Sequence, residues 1–155
     1  MHNPQWEKPM DPDAPLPFTL ASWVDLAPFE RTLGIRIDEA AAGEAVLSMP
    51  FTVKLAQGKG LLHGGAITTL ADTAAAMAIK TLLPENTHFA TVEMTTSFLA
   101  PVRGGTVTAR ARAVPDPEEK RTYGGEVQVL DAGGTVVARF SSRFRVAKRR
   151  GGGQE

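Results

Sequence analysis

The hydrophobic pattern is strongest at residues 66–79, where apolar residues fall on nearly every face of a helix. This stretch is rich in Ala, Leu and Met and contains no proline, so it predicts an α-helix. A helix that is apolar all round must be surrounded by protein or by a membrane. This one is too short to span a bilayer and carries Asp72. We therefore expect a central helix buried in protein, ended by Pro84-Glu85-Asn86.

Alternating patterns on both sides of this helix predict β-strands. Before the helix, Gly34–Asp38 and Gly43–Met49 alternate polar and apolar residues, which predicts a hairpin. After it, turn-forming residues separate four further predicted strands, at about His88–Leu99, Gly105–Val114, Thr122–Leu130 and Thr135–Val146. One wet and one apolar face is typical of an antiparallel sheet packed on one side. The pattern predicts an α+β fold in which the sheet packs on the central helix.

The ends of the chain differ from this middle part. Helical spacing of Leu20, Trp23, Val24 and Ala27 predicts one or two short helices between Thr19 and Arg31. Proline-rich residues 1–17 predict a disordered arm, and the Gly- and Arg-rich residues 148–155 predict a disordered tail. Between them we expect a single domain at 18–147, with enough residues for a substantial core.

Composition narrows the classes of function. Lys and Arg total 17 and balance 17 Asp and Glu, which argues against general nucleic-acid binding. The chain has no cysteine, which excludes thiol nucleophiles and fits a reducing cytoplasm. Neither a signal peptide nor a membrane partner is expected. No metal is expected because His2, His63 and His88 lack ligand spacing. A serine hydrolase is not expected either, since no G-x-S-x-G motif occurs.

Charge is nevertheless unevenly distributed along the chain. Residues 101–155 hold 11 basic and 6 acidic groups, whereas residues 1–100 hold 6 basic and 11 acidic groups. A basic half attracts phosphorylated ligands such as coenzyme A. The alternative interpretation is a set of solvated arginines on the outer face of the sheet.

Candidate chemistry lies at the start of the central helix. His63-Gly64-Gly65 precedes it, and backbone N–H groups at a helix N-terminus suit an oxyanion or a carbonyl oxygen. Asp72 follows Gly64 by eight residues on the same face, where a buried carboxylate is costly unless paired, hydrogen-bonded or wetted by a site. Eight helical residues span roughly 12 Å, too far for both groups to touch one carbonyl. If they cooperate, the acid comes from a second, antiparallel copy of the helix, which predicts a two-fold homodimer.

Three motifs in order resemble one known family. His63-Gly64-Gly65, with an acid eight residues after Gly64, is similar to the hotdog-fold acyl-CoA thioesterases of the phenylacetate-degradation (PaaI) type. The entry into the first strand resembles the family's PFxxxLG motif, here Pro28-Phe29-Glu30-Arg31-Thr32-Leu33-Gly34-Ile35. The strand after the helix also resembles the family, at Thr91-Val92-Glu93-Met94 and Phe98-Leu99-Ala100-Pro101. The resemblance covers roughly Pro28 to Val146.

The resemblance implies a hotdog fold, in which an antiparallel sheet wraps around a long central helix. It implies a homodimer, often a homotetramer, that hydrolyses an acyl-CoA thioester with no cofactor beyond the coenzyme A of the substrate. Asp72 would be the nucleophile or the general base, and the amides of Gly64 and Gly65 would polarise the carbonyl. His63 would shape the turn that aims these amides, and Gln57 would lie near the thioester.

The remaining candidates concern substrate binding, and each candidate has an ordinary alternative. Thr91 would position water or substrate, and Arg103 is a candidate for a coenzyme A phosphate. In the structural alternatives, Asp72 is an acid paired with a backbone N–H or Thr68, the glycines form a tight turn, and His63 is a cap. Gln57, Thr91 and Arg103 would then be an ordinary loop, strand and surface residue.

Two other functions remain open from the sequence. One is a hotdog dehydratase or hydratase, which also uses a His and an acid on the central helix but in a different arrangement. The other is a non-catalytic module that binds acyl-CoA as a sensor. The identity of the acyl group does not follow from the sequence.

Overall fold

The structure is a computed structural model that describes residues 19–148. The predicted arm at residues 1–17 and the predicted tail beyond Lys148 lie outside the described residues. Two α-helices and six β-strands follow in the order α1 (Pro28–Thr32), β1 (Arg36–Ala41), β2 (Glu44–Pro50), α2 (Gly64–Lys80), β3 (Phe89–Phe98), β4 (Thr106–Pro115), β5 (Thr122–Leu130) and β6 (Val136–Val146), with a short 3-10 helix at Val53–Leu55 between β2 and α2. Within the described range, no helix is long and apolar enough to cross a membrane.

All six strands form one antiparallel sheet in the order β1-β2-β4-β5-β6-β3. Helix α2 packs on one face of this sheet, chiefly against β2, β4 and β5. The largest fully buried side chains are shared between helix and sheet and include Leu47, Leu70, Ile79, Val107 and Phe144. Because burying one such side chain stabilises the fold by about 1.5–3 kcal/mol, this layer is the core. The predicted α+β hotdog fold is confirmed.

Small residues let the helix lie close to the middle of the sheet. A Cβ atom placed on Gly125 of β5 would lie 2.6 Å from the Cβ of Ala75 and 2.6 Å from the Oγ of Ser142. No real side chain tolerates such contacts, so the glycine is required by the close approach of α2. On β6 the predicted alternation is confirmed, since Phe140 and Phe144 are buried while Arg143 is exposed.

One stripe of α2 is only partly buried along its whole length, whereas the rest of the helix is buried except for Gly65 and Thr69 in its first two turns. It runs through residues spaced four apart, namely Gly64, Thr68, Asp72, Ala76 and Lys80. Residues at this spacing share one helix face. Two of them, Thr68 and Asp72, hydrogen-bond to β3. The helix was predicted to be buried on every side. One of its faces, which carries Asp72 and Lys80, instead lies partly exposed, and it contacts the edge strand β3 through Thr68 and Asp72.

The prediction of helices between Thr19 and Arg31 is wrong for most of that stretch. Only α1 is helical, because proline disfavours helical geometry in the residue before it, and Ala27 is extended with ψ 166°. The segment before it is held by Trp23 instead. Its indole Nε1–H donates to the Lys80 carbonyl at 3.2 Å, and Lys80 Nζ donates to the Trp23 carbonyl at 3.0 Å. The first strand also begins later than predicted, since Gly34 turns with φ +73°.

Strand β3 lies at one edge of the sheet and pairs only with β6. Its register with β6 is broken by an extra residue between Thr91 and Glu93, a bulge of the kind that often lies beside functional sites. Large apolar side chains on or just after this strand are exposed in the single chain, namely Val92, Met94, Phe98 and Leu99. A long apolar edge is usually covered by another element or another chain.

Candidate active site

The first turn of α2 presents one unpaired backbone donor. The helix begins at Gly64, so both glycines lie inside it rather than before it, and His63 is the N-cap. His63 Nδ1 accepts a hydrogen bond from the Gly65 N–H at 2.8 Å, and the His63 carbonyl accepts from Ala66 N–H at 3.0 Å. Within residues 19–148 the Gly64 N–H donates to no partner. Of the two predicted amides, Gly64 is therefore the free one, and Gly65 is used by the cap.

The space beside Gly64 is shaped by Phe98 of β3. A Cβ atom on Gly64 would lie 3.0 Å from Phe98 Cζ and 3.1 Å from Cε1. The φ of Gly64 is not among the positive values, so glycine is needed here for room rather than for backbone geometry. A cavity of about 370 Å³ opens at this point, lined by Gly64, Phe98 and eight other residues, Gln57, Leu61, Leu62, Ile67, Leu99, Ala100, Pro101 and Val102.

Gln57 is the one long polar side chain in this cavity lining. Its Oε1 accepts a hydrogen bond from the backbone N–H of Lys59, and its backbone N–H donates to the Leu61 carbonyl at 2.7 Å. The bond to Oε1 holds the side-chain amide, and the backbone bond holds the loop that carries it. The NH₂ group of Gln57 is left as a second donor in the same cavity as Gly64.

Asp72 forms the second part of the candidate site, two turns further along α2. Its Oδ1 accepts a hydrogen bond from Thr91 Oγ1 at 2.9 Å. Burial raises the pKa of the Asp72 carboxyl above 3.8; the Thr91 hydroxyl opposes the shift, and the negative charge of Glu30 on α1 adds to it. Thr68 does not pair with Asp72, because its hydroxyl meets that of Thr96 at 3.0 Å. Asp72 is thus a half-buried carboxylate held by one hydroxyl.

The structure brings the predicted residues together as two separate groups. Gln57 and Gly64 meet at one cavity, and Asp72 and Thr91 meet roughly two helical turns away, about 12 Å along the axis. Arg103 joins neither group. It is exposed and, with Asp131, lines a neighbouring depression that shares Pro101 and Val102 with the cavity at Gly64. Its proposed contact with a phosphate stays a prediction. Residues 19–148 contain no group of three His, Asp or Glu placed to hold a metal.

Sequence reasoning missed two residues that shape these groups. Phe98 contacts Gly64 across 34 positions of sequence, and Glu30 acts on Asp72 from α1. Both belong to motifs that carried the family resemblance, which was a signal of their importance but not of their contacts. A pairing between a helix N-terminus and a strand end depends on the tertiary register, which no local pattern contains.

The N-cap supplied by His63 gives a prediction about stability. Replacing His63 by alanine leaves the Gly65 N–H unpaired and is expected to lower the free energy of unfolding by about 1 kcal/mol. His63→Asn restores a good capping oxygen and should lose less. Urea unfolding of the three proteins measures the difference. Equal stability of the alanine and wild-type proteins would show that this cap contributes nothing.

Comparison with known proteins agrees with this geometry. The sequence profile of the Thioesterase superfamily matches residues 59–114, which include the whole of α2 and β3. A 1,4-dihydroxy-2-naphthoyl-CoA hydrolase from Listeria monocytogenes is 30% identical over 122 residues, covering 78% of this chain and 97% of that protein. A Halobacterium salinarum protein provisionally named an esterase is 36% identical over 90 residues, which are 55% of this chain and 60% of its own length.

A solved structure gives the same answer. The E. coli PaaI protein from the phenylacetic acid degradation operon superposes with a TM-score of 0.71 and 28% identity, covering 79% of this chain and 86% of that one. This superposition shows that the two proteins share a fold. The thioesterase profile matches the helix that carries Gly64 and Asp72. The chain therefore belongs to the thioesterase superfamily, a hotdog-fold family of thioester hydrolases.

Proposed function

We propose that the protein hydrolyses an acyl-CoA thioester to the free acid and coenzyme A, in a site shared by two copies of the chain. The observation that carries this proposal is the arrangement of α2. Its N-terminus offers an unpaired Gly64 N–H, and its half-buried Asp72 lies about 12 Å further along the axis. One chain therefore holds both kinds of group needed for acyl transfer, but too far apart to act on one carbonyl.

The exposed edge of β3 supports a two-fold partner. Two β3 edges paired antiparallel would extend the sheet across the dimer and cover the apolar side chains of this strand. The two α2 helices would then run antiparallel beside one another. In that arrangement Asp72 of one subunit faces Gly64 of the other, which completes two equivalent sites. The dimer, and the tetramer that the sequence resemblance implies, are parts of this proposal.

The proposed chemistry uses the two groups in different roles. The thioester carbonyl oxygen accepts hydrogen bonds from the Gly64 N–H and from the Gln57 NH₂, which stabilise negative charge as the carbonyl carbon becomes tetrahedral. Asp72 supplies the attack, either as the nucleophile or as the base that takes a proton from water. If Asp72 is the base, the water oxygen forms the C–O bond as Asp72 takes its proton, the C–S bond breaks, and the departing thiolate of coenzyme A takes that proton from Asp72. If Asp72 is the nucleophile, its carboxylate forms the C–O bond and the C–S bond breaks to leave a mixed anhydride, which water hydrolyses to the free acid, restoring Asp72 and supplying the proton of the thiol.

Several observations support these roles. The raised pKa of Asp72 makes its carboxylate a stronger base than an exposed aspartate, and Thr91 fixes one of its oxygens. The Listeria relative is named as the hydrolase of a CoA thioester.

We propose that His63 holds the turn and that no metal or further cofactor takes part. The coenzyme A contact of Arg103 and the cytoplasmic location stay predictions from the sequence.

A free-thiol release assay tests this function. Purified protein is given phenylacetyl-, benzoyl-, hexanoyl- and palmitoyl-CoA, and release of coenzyme A is followed with a thiol reagent. Release from at least one thioester is expected. Hydration of an enoyl thioester without thiol release would favour the dehydratase interpretation. Tight binding of acyl-CoA by calorimetry with no release of any kind would favour the sensor.

Two substitutions near Asp72 should shift the pH profile of hydrolysis in opposite directions. The acid limb of kcat/KM reports the pKa of the essential base in the free enzyme. Thr91→Val removes the hydrogen bond that lowers the pKa of Asp72, so the acid limb should move to higher pH. Glu30→Gln removes a charge that raises this pKa, so the limb should move to lower pH.

Steady-state kinetics across the acid range measure both shifts, and Thr91→Ser, which keeps a hydroxyl, serves as the control with a nearly unchanged profile. If the acid limbs of Thr91→Val and Glu30→Gln moved in the same direction, the assignment of Asp72 as the titrating base would be contradicted.

A further inference from the structure

Phe98 and Gly64 are matched in size at the entrance of the cavity. The ring of Phe98 lies close enough to Gly64 that a single added carbon would meet it at 3.0 Å. That distance is shorter than nearly all real contacts of a Cβ atom, so one of the two partners would have to move. Phe98 is the partner able to move, because the atoms that would be met are the far end of its side chain, whereas Gly64 is part of the helix backbone. The wall of the cavity beside the free amide is thus an adjustable aromatic side chain.

The chemistry of the cavity fits the acyl end of a thioester better than its pantetheine end. Its side chains are almost all apolar, with Ile67 on α2 and Leu99 and Val102 beyond β3. Pantetheine carries two amide groups, and a buried amide without a hydrogen-bond partner costs free energy. Gln57 is the one long polar side chain here, and the proposed reaction uses its NH₂ group for the carbonyl oxygen. An apolar acyl group needs no such partners.

We propose that Phe98 determines which acyl groups are hydrolysed, by setting the width of the acyl cavity beside Gly64 and favouring straight-chain acyl groups over those with a ring next to the carbonyl. The inference rests on the proposed function, because it assigns the substrate preference of that site. A straight chain has a narrow cross-section whatever its length, whereas a ring attached to the carbonyl carbon would meet the ring of Phe98 beside Gly64.

A size series at position 98 tests the inference. The ratio of kcat/KM for benzoyl-CoA to that for hexanoyl-CoA should rise by about tenfold or more in Phe98→Ala, rise less in Phe98→Leu and fall in Phe98→Trp. Val53→Ala is the matched control, since Val53 is 93% exposed and does not line the cavity. Its ratio should equal that of the wild type.

A double variant tests whether Phe98 limits the space beside Gly64 or only contributes to the stability of the fold. Gly64→Ala should lower hexanoyl-CoA turnover because its methyl group pushes Phe98 into the cavity, and adding Phe98→Leu should restore part of the loss. Residues in direct contact show such non-additive effects. No recovery in a folded double variant would contradict the size matching.

The two proposals fail differently. Wild-type hydrolysis with a benzoyl-to-hexanoyl ratio that no substitution at position 98 changes overturns this inference alone. The absence of thiol release from every thioester, with correctly folded protein, overturns the proposed function and this inference with it.

Discussion

Replacing Asp72 by asparagine is expected to lower kcat for thioester hydrolysis by about 10²–10⁴-fold, the usual contribution of a positioned acid or base. Asparagine keeps the size of the side chain and the acceptor for the Thr91 hydroxyl, but it neither attacks a carbonyl nor takes a proton from water. KM should change little, because the carboxylate acts mainly on the transition state. Thiol release by matched amounts of wild-type and variant protein measures the effect.

The same substitution should not destabilise the protein. The pKa of Asp72 is raised in the folded chain, so between the unfolded and folded pKa values the folded state binds more protons than the unfolded state. Stability therefore falls as pH rises through this window, and the full penalty of the ionised carboxylate is present above the folded pKa. Asp72→Asn removes this penalty, as substitutions at functional sites often do.

Urea unfolding at neutral pH and near pH 4 tests the predicted effect of Asp72→Asn on stability. The variant should be at least as stable as the wild type at neutral pH, and any advantage should shrink in acid as Asp72 becomes protonated. A variant with near-normal kcat, or one that unfolds at neutral pH, would contradict the role assigned to Asp72. The first outcome would remove it from catalysis, and the second would make it a structural acid.

Substitution of Gly64 by valine is expected to have the second large effect. The added carbons meet the ring of Phe98 and crowd the place where the carbonyl oxygen would approach the Gly64 N–H. Loss of one such donor typically costs about 10²–10³-fold in rate. The fold should persist, because valine is acceptable at the backbone angles of this position and the neighbouring ring is able to move.

Gly104→Val is the matched control for this substitution. Gly104 lies in the turn before β4, a Cβ atom there meets nothing within 4 Å, and its φ is not positive. Hydrolysis by this control should stay near the wild-type rate. Equal activity of the Gly64 and Gly104 variants would show that the helix N-terminus does not hold the reacting carbonyl.

The periodicity of the chain predicts an antiparallel sheet packed on a central helix, and the family resemblance supplies the hotdog fold. The mostly apolar helix at residues 66–79 and the alternating strands indicate which faces must be buried against each other. The segment near Trp23 was mispredicted because its apolar spacing imitates a helix, whereas Pro28 and the contacts with Lys80 favour an extended path. Those contacts join residues 57 positions apart.

The candidate site was less predictable than the fold. The spacing of Gly64 and Asp72 is visible in the sequence, and the site shared by two chains stays a proposal that rests on this spacing and on the family resemblance. The hydrogen bond from the Gly65 N–H to His63, which leaves Gly64 as the free amide, depends on a side-chain rotamer. The Phe98 contact depends on the register of β3 against the helix. Such details are fixed by tertiary packing rather than by local sequence pattern.

We propose that each site takes its acid from one subunit and its amide from the other, and a mixture of two inactive variants distinguishes this arrangement from a site within one chain. Asp72→Asn and Gly64→Val chains are refolded together in equal amounts, and thiol release is compared with each variant alone.

If the sites are shared, each mixed pair contains one intact site, because Asp72 of the Gly64→Val chain meets Gly64 of the Asp72→Asn chain. Half of randomly formed pairs are mixed, so about a quarter of the wild-type activity should return. A mixture as inactive as its parents, with exchange of subunits verified, would place both groups of a site on the same chain and contradict the account.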